Sequence, residues 1–291
     1  MAASLRPERR HAARVRRGAC VGALIGVLAA LVVSACLARP TRADETPAAT
    51  AAARELRVGM ATNYPPLVFD RNGALTGIEV ELAKKLGKGL GVNVTLVRTP
   101  WDDLIPALRD HHIDVIMSGM SVTDERKALV SFAEPYLRVG QMALVRRADE
   151  QRFPEVSAKV LSGIPVGVVR NTTGEQYARK ALAKAEVKPF ASVDDGVAAL
   201  RRGEIDVFVH DAPSIWRVAG GFDSPEHELV GKFRPLTEEY LAWAVRKDDG
   251  ESLRAQLNAV LERWKADHQL DRVLDHWIRV RKTSIEIKPV Q

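Results

Sequence analysis

The chain has 291 residues, long enough for two ordinary domains and a sizeable buried core. Its formal net charge of +6 would suit an anionic partner, but the surplus sits at one end: six arginines against Glu8 in residues 1–18, and three more against Asp44 and Glu45 in residues 36–54. Residues 55–291 sum to about zero, which excludes a nucleic-acid footprint, and Cys20 and Cys36 both precede them, which excludes a disulfide, a cysteine nucleophile or a thiolate metal site there.

The first segment is arginine-rich, then apolar from Ala19 to Ala35, then Cys36. A positive stretch followed by an apolar core and small residues is the pattern of an export signal. Val33-Ser34-Ala35-Cys36 is similar to a bacterial lipobox, so residues 1–35 are expected to be a lipoprotein signal peptide with Cys36 as the lipidated residue. An uncleaved anchor and a plainly cleaved signal are the alternatives; 17 apolar residues are at the short limit for spanning. Residues 36–54, rich in Ala, Thr and Pro without an apolar period, are expected to form a flexible tether.

Strands and helices then alternate. LRVGM (56–60) and VTLVR (94–98) read as strands, and between them Ile78, Leu82, Leu86 and Leu90 mark one face of a helix ended by Gly91. Asp102 or Asp103 is expected to cap a helix carrying Leu104, Ile105 and Leu108, with Pro106 tolerated in its first turn. IDVIM (113–117) is the next strand. Toward the C-terminus, Leu253, Leu257, Val260, Leu261 and Trp264 form one helical stripe and Leu270, Val273, Leu274 and Trp277 another, both expected to pack on the core. Alternation of this kind argues for βαβ units.

Two stretches echo each other. Residues 107–118 read ALRDHHIDVIMS and residues 199–210 read ALRRGEIDVFVH, a constant offset of 92; a weaker echo pairs Val58-Gly59 and Asn63 with Val166-Gly167 and Asn171. Two echoes in the same order predict two lobes of similar topology. Open parallel sheets bind ligands beyond the carboxyl ends of their strands, so Ser118-Gly119 and His210-Asp211 are expected to face each other across a cleft. No metal-spaced histidine cluster, phosphate loop or nucleophile elbow occurs; His111-His112 read as solvated turn residues, and no cofactor or metal is expected.

The run MSGMSVTDERKALVSFAEPY (117–136), preceded by WDDLIPALRDHHIDVI, resembles the extracellular solute-binding proteins of polar amino-acid uptake transporters. RVGMATNYPPLVF, NTTGEQYA, HDAPSIW and EEYLAWAVRKDD fit in order, so that the resemblance covers about residues 55–280. It implies an α/β fold of the type II periplasmic-binding-protein kind, each lobe a mixed, mainly parallel sheet flanked by helices. Residues 56–139 plus 240–282 would form lobe 1 and residues 140–239 lobe 2, with hinge crossings near Gly140 and Tyr240. Ligand would be captured by hinge closure and handed to an ABC permease in the membrane, by a protein that is periplasmic, lipid-anchored, monomeric and not an enzyme.

The resemblance also implies roles. Arg126 would grip a ligand α-carboxylate, which a planar guanidinium fork suits, with Ser118, Gly119 and Ser121 completing the cradle. Asp211 would take the α-ammonium, and Thr172 and Thr173 would offer donors to the carboxylate. Asn171 stands beside them where the family more often has glycine. Tyr64 and Trp101 would sandwich the ligand side chain, and His210 would touch it. Ala61 departs from the acid found in receptors for basic side chains, while Arg170 nearby suits an acidic or polar group. Exported cyclohexadienyl dehydratases share the resemblance, but their catalytic glutamate falls on Ser214 here, leaving only His210 or Glu239 as substitutes. A ligand-sensing domain signalling to a membrane partner is the other alternative.

Overall fold

The computed structural model describes residues 54–219, 228–232 and 235–278. The expected export signal, Cys36, nearly all of the expected tether and the residues after Ile278 lie outside them.

Strand β1 (Glu55–Met60) leads into a meander of β2 (Asn63–Tyr64), β3 (Val68–Arg71) and β4 (Ala74–Thr76), then helix α1 (Ile78–Leu90). Ile78, Leu82 and Leu86 of α1 are fully buried, each contributing about 1.5–3 kcal/mol by leaving water. Gly91 ends the helix as expected, in the left-handed conformation with its N–H on the Gly87 carbonyl. After β5 (Asn93–Arg98) the chain makes a 3₁₀ turn, Trp101–Asp103, and enters α2 (Leu104–Arg109). The expected aspartate cap is not made. Asp103 is already in right-handed helical conformation, whereas a capping side chain needs an extended backbone, and Asp102 turns outward to Arg170 and Asn171.

Next come β6 (Val115–Ile116), α3 (Asp124–Leu129), β7 (Ser131–Phe132) and β8 (Leu137–Val139). The second half runs β9 (Gln141–Arg146), β10 (Pro165–Val169), α4 (Thr173–Ala181), β11 (Glu186–Phe190), α5 (Val193–Arg202), β12 (Val207–Asp211), α6 (Ala212–Ala219) and β13 (Leu229–Lys232). The chain closes with β14 (Glu239–Leu241), β15 (Ala244–Val245), α7 (Glu251–Ala266) and α8 (Gln269–Trp277). The two expected C-terminal stripes bury Leu257, Val260, Leu261 and Trp264, and Leu270, Val273 and Leu274, against the core that α1 also joins.

Two five-stranded sheets result, in the orders β5-β1-β6-β15-β7 and β11-β10-β12-β9-β13. In each, the first three strands run parallel and the fourth is reversed, so the lobes share one topology and a mainly parallel direction. The sequence echoes meet in register: Val58 and Gly59 pair with Val115 and Ile116, as Val166 and Gly167 pair with Val207 and Phe208. Both glycines are there for the same reason. A Cβ on Gly59 would lie 2.2 Å from Ile113 Cδ1, and one on Gly167 would lie 2.3 Å from Ile205 Cδ1, the isoleucines of the two Ile-Asp-Val repeats.

A third echo went unread in the sequence. Arg146 and Asp149 correspond to Arg246 and Asp249, each pair at the end of the reversed strand. Arg146 donates to the carbonyls of Leu200 and Ile205 at 2.7 and 2.6 Å, and Arg246 to those of Leu108 and Ile113 at 3.5 and 2.8 Å. The signal was VRRAD at 145–149 against VRKDD at 245–249.

The chain passes between the sheets twice, and the two passages lie side by side. β8 pairs antiparallel with β14, Val139 opposite Glu239 and Arg138 opposite Tyr240. Gly140, which follows β8, is required by close approach: a Cβ there would stand 2.2 Å from the Thr237 carbonyl oxygen.

Candidate functional site

The carboxyl ends of β6 and β12 face a common cleft. From the first lobe Tyr64, Trp101, Gly119, Ser121 and Arg126 line a cavity of about 30 Å³; from the second, Thr172, Thr173, His210 and Asp211 line it. Of the expected residues, Ser118 and Asn171 stand just behind. The Ser118 hydroxyl accepts the Ala61 N–H at 2.9 Å, and Asn171 acts through its backbone. Asn63, Val169 and Val193, not among the expected site residues, also line the cavity; Asn63 is the residue that echoes Asn171 in the sequence.

Thr123 extends its backbone and accepts the Arg126 N–H, starting α3 so that Arg126 lies in its first turn. The guanidinium stacks 5.1 Å over the Trp101 ring and donates to the carbonyls of Ser121 (2.9 Å) and Asn171 (3.3 Å). No carboxylate pairs with it among the described residues. Enclosure lowers its pKa, with Asp211 and Glu239 acting in the opposite direction. A partly buried guanidinium held by neutral carbonyls retains an unmatched charge.

Asp211 ends β12, buried, at the other side of the cavity. Its carboxylate takes the Tyr64 hydroxyl and the Gln141 amide. Burial and then the charge of Glu239 push its pKa up to about 7, against the hydrogen bonds and Arg126. His210 lies between Tyr64, edge-on at 5.1 Å, and Phe208, stacked at 6.0 Å; burial holds its pKa down to about 3, so the ring is neutral.

The cradle expected around Arg126 is only partly available. The Gly119 N–H is used at 2.8 Å by Glu79, and the Thr172 hydroxyl caps α4 and donates to Val169 O at 2.6 Å. Asn171 adopts φ 57, the left-handed region that glycine enters freely and asparagine tolerates, which explains how it fits a glycine-type position. Its carbonyl receives both Trp101 Nε1 (3.0 Å) and Arg126, and its side-chain amide reaches Asp102 at 2.8 Å.

Glu79, which sequence reasoning missed, anchors this floor. Fully buried on α1, it accepts from Gly119 N–H, the Tyr136 hydroxyl (2.5 Å) and Trp243 Nε1 (2.9 Å). Burial raises its pKa against these bonds. Glu79→Leu is expected to cost about 3 kcal/mol or more in urea unfolding, because three buried donors lose their acceptor. A loss below about 1 kcal/mol would show that the loop does not depend on it.

Beyond Trp101 and Asn63 the cleft opens into a mouth of about 400 Å³ that includes Ala61, Arg98, Asp102 and Arg170. Asp102 is committed to Arg170 (3.4 Å) and Asn171. Contacts across the mouth and floor hold the lobes together, including Asn63 to Ala191 O at 3.2 Å and Ser214 Oγ to Pro65 O at 2.9 Å.

Two lobes of one topology enclosing unmatched charges and aromatic rings define a ligand-capturing protein rather than a surface that reads a polymer. The sequence model for bacterial extracellular solute-binding proteins, family 3, matches residues 56–280, and the chain belongs to that family. It is 30% identical over 223 residues to the L-cystine-binding protein TcyJ of Escherichia coli (strain K12), covering 76% of this chain and 82% of that protein. It is 30% identical over 267 residues to the L-arginine-binding protein of Pseudomonas aeruginosa, covering 88% and 95%. Among solved structures, a putative ABC-transporter binding component from Wolinella succinogenes complexed with lysine superposes with a TM-score of 0.73 at 32% identity, covering 79% and 97%. The ancestral amino acid-binding protein AncCDT-1, described as a precursor of cyclohexadienyl dehydratase, superposes at 0.70 with 35% identity, covering 77% and 95%.

Proposed function

We propose that this chain is the substrate-binding component of an ABC uptake transporter and captures an amino acid or a similar small zwitterion between its lobes. The observation that carries this reading is the pairing of opposite needs in one cavity: a guanidinium without a carboxylate partner among the described residues at one side and the buried acid Asp211 at the other. A zwitterion supplies both counter-charges at once. Relatives named for amino acids support the class of ligand, and they are binding proteins rather than enzymes. The dehydratase alternative is disfavoured by Ser214, which is buried and commits its hydroxyl to Pro65 O.

A cavity of about 30 Å³ holds little more than a water or two, so ligand exchange requires the lobes to part. The paired passages β8 and β14, next to Gly140 and including Tyr240, support a hinge at those residues. A ligand side chain would point past Trp101 into the mouth. There Arg98 is paired with Asp70 and Arg170 with Asp102, and position 61 is alanine, so no uncommitted carboxylate among the lining residues awaits a cationic side chain, favouring uncharged or acidic ones. In the same reading the exported chain is anchored by lipid at Cys36 and works as a monomer beside its permease.

A thermal-shift panel on protein stripped by unfolding and refolding tests the proposal, with the free amino acids, dicarboxylates, polyamines and prephenate as ligands. Ligand at about 100 times its Kd adds about 2.7 kcal/mol of stability, a shift of several degrees. A shift with uncharged or acidic amino acids is expected. A shift with prephenate alone, or with no amino acid, would overturn the zwitterion reading; one confined to lysine and arginine would overturn the side-chain preference.

A further inference from the structure

Both strands that leave the hinge begin with a polar side chain aimed at the cavity floor: Gln141 opens β9 and Glu239 opens β14. The Gln141 amide nitrogen lies 3.1 Å from Thr173 Oγ1 and 3.0 Å from Glu239 Oε1, and it also contacts Asp211 Oδ1. An amide nitrogen carries two hydrogens and accepts none, so one of the three converging oxygens receives no hydrogen from it. Glu239 Oε1 already takes the Thr237 hydroxyl at 2.7 Å, while Glu239 Oε2 is buried and has no hydrogen-bond partner among the described residues. With both acids ionised, turning the amide over would aim its oxygen at two negative charges, so the nitrogen faces them; its own Oε1 is buried and has no hydrogen-bond partner among the described residues. Two acids thus crowd one amide, and neither forms an ion pair among the described residues.

Resting on the reading of the cavity as an amino-acid site, we propose that Glu239 is a positioning residue that, acting through Gln141, keeps a proton on Asp211 until a ligand ammonium displaces it, so that capture releases a proton to solvent. The balance is simple. The Asp211 O–H bond breaks, the proton leaves to water, and the carboxylate pairs with the ammonium.

The groups facing Asp211 from the elements packed around it are Tyr64 on β2, Arg126 on α3, Gln141 on β9, Thr173 on α4 and Glu239 on β14, with His210 beside it and Tyr136 farther out. Arg126 and the two hydrogen bonds favour the carboxylate; burial and Glu239 oppose it and prevail, which places its titration at about 7. His210, held near 3, contributes no charge at neutral pH.

The test begins without ligand. The aspartate and glutamate carboxyl carbons are labelled with carbon-13 and followed by NMR from about pH 4 to about pH 9 in the purified, stripped protein and its Glu239→Gln and Asp211→Asn variants. One carboxyl is expected to titrate near neutrality, to be missing from Asp211→Asn, and to move down by about one unit or more in Glu239→Gln. A purely structural Glu239 would not move that midpoint. No near-neutral carboxyl, or one indifferent to Glu239→Gln, overturns the proposal. Calorimetry with the free amino acids near pH 6, in two buffers of different ionisation enthalpy, then counts protons: about one released per ligand, and about half that or less in Glu239→Gln. Binding without release overturns the displacement step. Failure of every amino acid to bind, with the carboxyl titration as expected, removes the proposed function and the displacement step but upholds the hold of Glu239 on Asp211.

Discussion

Replacing Arg126 by alanine is expected to weaken capture of any amino acid by at least about 2 kcal/mol, roughly thirtyfold in Kd. The ligand carboxylate would be left in an enclosed site facing Ser121 and Asn171 carbonyls that repel it. The fold should tolerate the change better than the ligand does. Asn171 O keeps its bond from Trp101 Nε1, and the Thr123 cap on α3 involves the backbone of residue 126 rather than its side chain. Arg126→Lys restores charge without the planar fork and should recover only part of the affinity. Calorimetry decides: a loss under about 0.5 kcal/mol for the alanine variant would take Arg126 out of ligand recognition.

Asp211→Asn is expected to move affinity and stability in opposite directions at pH 8. It should weaken amino acids far more than analogues lacking the amine, and equal losses would undo its role. For stability, the folded carboxyl titrates at about 7 and the ordinary value is 3.8. The folded chain therefore binds the extra proton between those values, so the contribution of Asp211 is complete below about pH 4 and is lost as pH rises through about 7. His210 runs the other way, from 6.5 in the unfolded chain to about 3 in the folded one, and its contribution is lost as pH falls below 6.5. The two slopes oppose each other between about pH 4 and 6.5, so these groups leave wild-type stability nearly flat there. The asparagine variant keeps only the His210 branch. Its stability should rise with pH over that range and exceed that of the wild type near pH 8. Denaturant unfolding of stripped protein at pH 5 and pH 8 measures this, and a variant less stable than wild type at both values would contradict the assignment.

The architecture was legible because it is written twice. The Ile-Asp-Val strands and the Val-Gly strands repeat at readable positions, and each pair turned out to be a pair of hydrogen-bonded neighbours. Tyr64, Trp101, Arg126, His210 and Asp211 came from the family resemblance, and the fold brings them to one cavity. What the sequence concealed were residues whose meaning depends on distant neighbours. Glu79 looks like an ordinary acid in the first turn of an amphipathic helix; only packing shows Tyr136 and Trp243 aimed at it. Gln141 heads an apolar strand and Glu239 begins a short one, and neither spacing nor periodicity says that they meet over Asp211. The capping expectation at Asp102 and Asp103 failed for a local reason, the 3₁₀ turn that delivers the chain to α2 already helical.

The place of β15 in its sheet carries a consequence for how the chain is made. Residues 244–245 lie between β6 and β7, which are themselves formed from residues 115–116 and 131–132. The second sheet is drawn from one continuous stretch, Gln141 to Lys232, and can assemble as soon as that stretch has emerged from the ribosome. The first sheet lacks an interior strand until nearly the end of the chain arrives, and the sites for Ala244 beside Ile116 and Phe132 stay open meanwhile. The half made first is thus the half finished last, and during that interval its unpaired edges make it the part most in need of a chaperone.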